Sequence, residues 1–301
     1  MIWSEYQKPA SVAAAVILLQ RAAGHGRVVA GGTDLVLQIR QHRHHADLLV
    51  DITAIAELRE IRQRDGWIEI GAAVTHAEAA ASPLLRREAK ALAEGCSHVG
   101  SPQIRNVATL AGNVITAQPA ADAAIPLMAL EAEIHVTSAA ADRWIPIEAA
   151  YLGIGHSGID PSCEVATAIR FRSPGPAERT AFFRLSRRKA LSLPVLNGAA
   201  ALQWDPAANR IRKARLALGP VAEKPFRPRG AESCLESAEV SPGLILEAAR
   251  IAAEEAHPRT SLFRGSEAYR REMIRLYLAR MLQGMLEREP EADAEPEVAR
   301  V

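Results

Sequence analysis

The chain has 301 residues, 36 Lys and Arg against 35 Asp and Glu, and three cysteines. The length carries a sizeable core, in roughly two ordinary domains or one large one. A net charge of +1 argues against a phosphate-neutralising nucleic-acid surface and against a polybasic membrane surface, and three cysteines are too few for a disulfide framework or for one four-thiolate iron–sulfur cluster.

With 49% hydrophobic but only 4% aromatic residues, the core is aliphatic and Ala-rich. The start, Met1 to Pro9, carries Glu5 and Lys8 and no apolar run, and the apolar stretch Val12–Leu19 is far short of a bilayer span. The chain is therefore expected to be cytoplasmic, with reduced thiols and no membrane span.

In chain order, Pro9 and Ser11 open a helix in which Val12, Val16 and Leu19 recur near helical spacing, ended by Gly24 and Gly26. A short strand, Arg27 to Ala30, runs into Gly31-Gly32. Leu48–Val50 and Ile68–Ile70 read as further strands. Helical composition returns from His76 to Glu94, interrupted at Pro83, and again over Ala121–Leu130, where Pro126 sits best in a first turn. Ile134–Val136 and Arg143–Ile147 suggest a strand pair. Ser173-Pro174-Gly175-Pro176 is loop chemistry and marks a boundary, giving expected domains over 1–175 and 176–286. Beyond it, Leu193–Trp204 and Ile211–Leu218 resemble strands joined by a turn, followed by two helices. In the second, Ser266 caps a stripe of Tyr269, Met273, Tyr277, Met281 and Met285 that is expected in the core. The acidic, Pro-containing segment 287–301 is expected to be disordered.

Among motifs, there is no P-loop and no H-E-x-x-H. Gly153 to Gly158 satisfies G-x-G-x-x-G, but Pro161 and a strand-like stretch follow instead of a helix, so it reads as a plain loop. His42, His44 and His45 lie in a polar connection with Asp47 and no thiol nearby, and read as solvated side chains, with no metal site expected. More informative are two Gly-containing loops. Ala30-Gly31-Gly32-Thr33-Asp34-Leu35 follows a strand, and Thr109-Leu110-Ala111-Gly112-Asn113 follows a polar stretch. Such loops let backbone N–H groups converge on phosphate oxygens without a basic side chain. Thr33 and Thr109 add hydroxyls. Asp122 can accept from ribose hydroxyls or cap the following helix.

These residues resemble the FAD-binding medium subunit of the molybdenum hydroxylases, the xanthine dehydrogenase and carbon monoxide dehydrogenase family. Val28-Val29-Ala30-Gly31-Gly32-Thr33-Asp34-Leu35 resembles its first pyrophosphate loop, and Ile104 to Asn113 its second. Pro119 to Asp122 matches the segment with an adenosine-side Asp, Phe183 to Arg188 a segment near the flavin, and Arg264 to Arg271 the C-terminal signature. Three positions depart from the pattern: Ala111 replaces a usual Gly, Arg184 stands where Lys is common, and Val99 stands where some members place an aromatic residue.

The resemblance implies an α+β fold: a two-subdomain FAD-binding domain of the PCMH or vanillyl-alcohol-oxidase type, then a small C-terminal domain of antiparallel sheet and helices. It implies FAD held by Gly31, Gly32, Thr33 and Asp34 facing Thr109, Gly112 and Asn113, with Asp122 on the ribose side and Val99 and Arg184 near the flavin. It also implies partners: a large molybdopterin subunit and a small subunit with two [2Fe–2S] clusters, as a dimer of heterotrimers. Electrons pass through FAD to NAD, quinone or oxygen. No residue is needed as catalytic acid, base or nucleophile. A stand-alone flavoprotein oxidase and a flavin-free scaffold subunit are the alternatives. The basic run Arg184, Arg187, Arg188 and Lys189 either borders the flavin or an anionic acceptor or is a solvated strand end.

Overall fold

The computed structural model describes residues 3–175, 177–188, 191–262 and 264–287. Lys189 and residues 288–301, which include nearly all of the acidic tail, lie outside the described residues.

The chain begins with a small parallel sheet. β1 (Glu5–Gln7), α1 (Val12–Arg21), β2 (Gly26–Val29), α2 (Leu35–Arg40) and β3 (Leu48–Asp51) alternate, and the strands lie in the order β1-β3-β2. Ser11 caps α1 by accepting from the Ala14 N–H, and Ala15, Val16 and Leu19 bury one face. β4 (Ile61–Arg64) and β5 (Trp67–Gly71) form a hairpin. A helical run follows: α3 (His76–Ala81), α4 (Pro83–Glu88), α5 (Lys90–Ser97), α6 (Pro102–Arg105), α7 (Leu110–Ile115) and α8 (Ala124–Ala129). The expected break at Pro83 is there, with Pro83 in the first turn of α4 behind the Ser82 cap. A second break at Ala89, with φ −139°, divides the rest. α8 starts three residues later than its composition suggests and keeps Pro126 in its first turn.

β6 (Glu133–Ser138) and β7 (Asp142–Pro146) form the expected pair. The two-stranded hairpin β8 (Tyr151–Gly153) and β9 (His156–Ser157) then leads to β10 (Glu164–Arg172). β10 lies at the centre of an antiparallel sheet of order β4-β5-β10-β6-β7. That central place matches its composition: Val165, Ala166, Ala168, Ile169 and Phe171 are all buried.

The remaining chain forms β11 (Glu178–Leu185), β12 (Leu196–Asp205), β13 (Arg210–Gly219), α9 (Arg229–Ser237), α10 (Pro242–Glu255) and α11 (Glu267–Glu287), with the three strands antiparallel in that order. β12 is covered on both faces, and its residues alternate accordingly. Leu196, Ala200, Leu202 and Trp204 join the C-terminal core with α9, α10 and α11. Ala199 and Ala201 join the N-terminal core. The N-terminal face is thus lined by alanines, which lets α8, buried at all six positions, lie close against the sheet.

The methionine and tyrosine stripe of α11 is core only in part. Met281 and Met285 are buried and Met273 packs against the C-terminal core, whereas Tyr269 is 45% exposed. Four-residue steps advance 400° on a 3.6-residue helix, so the stripe winds about 160° around the axis between Tyr269 and Met285. The buried face instead runs through Ile274, Leu278, Met281, Leu282 and Met285.

Polar contacts also join the two halves. Glu131, just after α8, accepts from Lys213 Nζ at 2.8 Å and Arg227 at 2.9 Å. Burial raises the Glu131 carboxyl, but the hydrogen bonds and charges of Lys213 and Arg227 outweigh it and hold its pKa at about 2. A depressed acid stabilises the fold above its ordinary value near 4.5 and loses that contribution as pH falls towards 2. Glu131→Gln should therefore lower Tm by a few degrees at neutral pH, since solvent screens this 39%-exposed side chain. The gap from wild type should close between pH 4.5 and 2 in calorimetric scans. A gap that persists to the acid end would remove the assignment.

Candidate functional site

β2 ends where Gly31-Gly32 turns the chain into α2, and α7 opens behind Thr109. These two turns face one another across a cavity of about 550 Å³, within the roughly 300–1,000 Å³ typical of cofactor sites. Val28, Val29, Ala30, Gly31, Gly32, Thr33, Asp34 and Leu35 line one wall, and Val99, Thr109, Ala111, Gly112 and Asn113 line the other.

The loops touch. A Cβ on Gly31 would lie 2.0 Å from the Val107 carbonyl oxygen and 2.8 Å from Ala108 Cα, so glycine is required there. Gly32 adopts φ +67°, the left-handed conformation that glycine takes at no steric cost. Among the described residues, the backbone N–H groups of Gly31, Gly32, Thr33 and Asp34 donate to no protein acceptor. Four consecutive free donors beside a cavity suit an anionic ligand. On the second loop, the Gly112 N–H is already taken, donating to Thr109 Oγ1 at 3.1 Å, so Thr109 contributes through its own hydroxyl proton. Ala111 lies within α7 in helical conformation, where its methyl is tolerated in place of glycine. Asn113 Oδ1 is buried and unpaired.

Burial pushes the Asp34 carboxyl above the usual carboxylate range. Its side chain makes no capping bond to α2, leaving it as part of the cavity rim. Asp122 and Arg184 are placed differently from the loops. Neither lines the cavity; they bond to each other, Arg184 Nε donating to both carboxylate oxygens at 3.1 and 3.0 Å. Asn197 Nδ2 donates to Asp122 Oδ1 at 2.8 Å. Asp122 does not cap α8, whose N-cap is Ala123. Of the basic run, Arg184 is thus buried in an ion pair, while Arg187 and Arg188 are exposed.

Two contributors escaped the sequence reading. The first is the Gly153–Gly158 stretch, most of which belongs to the β8–β9 hairpin over 151–157; Leu152, Gly155, His156 and Ser157 of that hairpin also line the cavity. The second is His76, the first residue of α3, which lines the cavity fully buried. Thr75 before it and Glu78 after it form a complete capping box, a sequence signal that a helix starts there.

Of the three consecutive-region histidines, His44 reaches the cavity wall. His45 bonds Asp47 at 3.1 Å, and His25 approaches the same carboxylate at 3.5 Å. All three of these side chains are exposed. The cysteines are free: Cys96 is buried, Cys234 half-buried and Cys163 exposed. Among the described residues no helix is long and apolar enough to cross a membrane.

Residues 3–172 match the FAD binding domain in molybdopterin dehydrogenase, and residues 181–285 match the CO dehydrogenase flavoprotein C-terminal domain. The xanthine dehydrogenase FAD-binding subunit of Escherichia coli O157:H7 is 30% identical over 275 residues, covering 90% of this chain and 92% of that one. The structure superposes on carbon monoxide dehydrogenase from Hydrogenophaga pseudoflava with TM-score 0.87 and 26% identity, over 94% of this chain and 97% of that one. It also superposes on quinoline 2-oxidoreductase from Pseudomonas putida 86 with TM-score 0.85 and 25% identity, over 95% and 97% of the two chains. With both halves of the chain matched and the glycine-lined cavity lying in the first, this protein belongs to the FAD-binding subunits of the molybdopterin dehydrogenase family.

Proposed function

We propose that this chain is the FAD-carrying electron-transfer subunit of a molybdenum-containing hydroxylase, with a flavin domain over 1–175 and a C-terminal domain over 176–286. One observation carries the reading: the four free N–H groups of Gly31 to Asp34, set against Thr109 and Asn113 across the cavity. These donors suit a diphosphate. The +1 net charge is no obstacle, because backbone dipoles do the work that lysine and arginine do elsewhere. Thr33 and Thr109 add hydroxyl donors. The aliphatic side chains of Val28, Val29 and Leu35 on one wall and Val99 on the other exclude water from the rest of the cofactor. Asp122 and Arg184 act from outside the cavity, by fixing the segment before α8 against the C-terminal sheet.

When bound, FAD supplies the redox chemistry, and the residues around it supply binding, orientation and electrostatics. The three cysteines lie far apart in the chain, in α5, just before β10 and in α9, which leaves iron–sulfur wiring to a partner. The complex this reading implies adds a small subunit with [2Fe–2S] clusters and a large molybdopterin subunit, as a dimer of heterotrimers. The terminal acceptor is NAD, quinone or oxygen.

Purified chain should be yellow, with flavin absorption, and heat should release FAD rather than FMN. Co-expressed with its neighbours, it should bring down a large molybdopterin protein and a small iron–sulfur protein. Colourless protein that ignores added FAD would sink the cofactor reading, and a flavoprotein that purifies alone would favour a stand-alone oxidoreductase.

A further inference from the structure

His76 is a cavity-lining residue with no role in that scheme. It is fully buried, and neither ring nitrogen has a hydrogen-bond partner among the described residues. A buried polar group left unpaired is costly, and native structures keep few of them. Its position is specific. The His76 N–H donates to the Ala108 carbonyl at 3.0 Å, and Ala108 is also where the Gly31 turn presses against the second loop. His76 therefore stands at the point where the two loops meet, beside Thr109. Burial first, then the positive charge of Arg105, holds its pKa down to about 4. A neutral imidazole always keeps one ring N–H to donate.

We propose that His76 is a further cofactor-binding residue, donating a ring N–H to a diphosphate oxygen of the dinucleotide where the two glycine loops converge. The assignment rests on the FAD reading above. It separates FAD from flavins that lack phosphate, and it makes His76 a specificity-determining residue.

The test uses the full chain freed of flavin and titrated with FAD and with riboflavin, following flavin fluorescence. His76→Leu should weaken FAD by about tenfold to a hundredfold, the size of a hydrogen bond to a charged oxygen, and leave riboflavin affinity unchanged. Removing an unpaired buried polar group should also leave the Tm of the flavin-free protein level or higher, whereas a purely structural histidine would lower it. His76→Gln, which keeps an N–H donor, should recover part of the FAD affinity. A second measurement avoids variants altogether. In wild-type protein carrying ¹⁵N-histidine, FAD should shift one ring resonance that riboflavin leaves in place. Unchanged FAD affinity in His76→Leu, equal losses for FAD and riboflavin, or no FAD-specific ring shift would each overturn the assignment. Wild type that binds no FAD would overturn the cofactor reading itself; wild type that binds it while His76→Leu is indifferent overturns only the role of His76.

Discussion

Gly31→Ala should leave the protein largely without FAD and several degrees less stable, a larger effect than any other single methyl in the cavity wall. The added Cβ would sit 2.0 Å from the Val107 oxygen, 2.6 Å from its carbonyl carbon and 2.8 Å from Ala108 Cα. All three are backbone atoms, so no rotamer change relieves the clash. The Val107–Ala108 backbone is itself held, with both N–H groups donating to the Ile104 carbonyl, at 3.1 and 2.7 Å. The collision must open the two loops, and overpacking of this kind costs about 1–3 kcal/mol or more. The free N–H groups of the first loop and the Thr109 hydroxyl of the second, both beside the cavity, separate with them.

Gly32→Ala provides the contrast. Its nearest neighbours would be the side-chain atoms Val36 Cγ2 at 3.3 Å and Val29 Cγ2 at 3.5 Å, so the cost is mainly its φ of +67°. That is about 1–2 kcal/mol for a non-glycine residue. The ratio of flavin to protein absorbance, with Tm, should rank wild type above Gly32→Ala above Gly31→Ala. Full flavin content in Gly31→Ala would show that the loops do not need their contact.

Both loops were legible in the sequence because their signals are local. An aliphatic strand running into Gly-Gly announces a turn, and Thr109 with Gly112 and Asn113 announces a second Gly-containing loop, whose opening of α7 behind the Thr109 cap appears only in the structure. Which glycine matters most was not legible. Gly31 and Gly32 are adjacent in sequence, yet one is needed for a contact with residues 107 and 108 and the other for its own backbone angle. The hairpin over Gly153 to His156 escaped for a related reason: strands of three and two residues leave no measurable alternation, and their place at the cavity comes from the Gly155 N–H donating to Ala117. His76 looked like any helix-start residue, since burial of one side chain depends on what packs over it. Strands β12 and β13 were legible because they carry aliphatic runs joined by a turn, whereas β1, β4 and β11, which lack such runs, were not.

The partnership of Asp122 and Arg184 lies 62 residues apart in sequence, beyond the reach of any local pattern, and it supports the second large effect. Asp122→Leu or Arg184→Leu alone should destabilise the protein by about 3–5 kcal/mol, because each leaves an opposite charge buried without its partner. Both side chains are nearly closed to solvent, 7% and 6% exposed. Arg184 also donates to the Ser192 carbonyl, and Asn197 holds Asp122 from β12. These bonds span the joint between the segment preceding α8 and the C-terminal sheet, so losing them should loosen the docking of the two halves. In calorimetry the single variants should show a lower Tm, with the one transition broadening or splitting. The double variant should recover much of the loss. Burial pushes the Asp122 carboxyl above its ordinary range even against the pull of Arg184 and Asn197. The charged pair therefore gains little over apolar contact, while either charge alone is a heavy loss. If the double variant lost the sum of the two single losses, the residues would be acting through separate contacts rather than through each other.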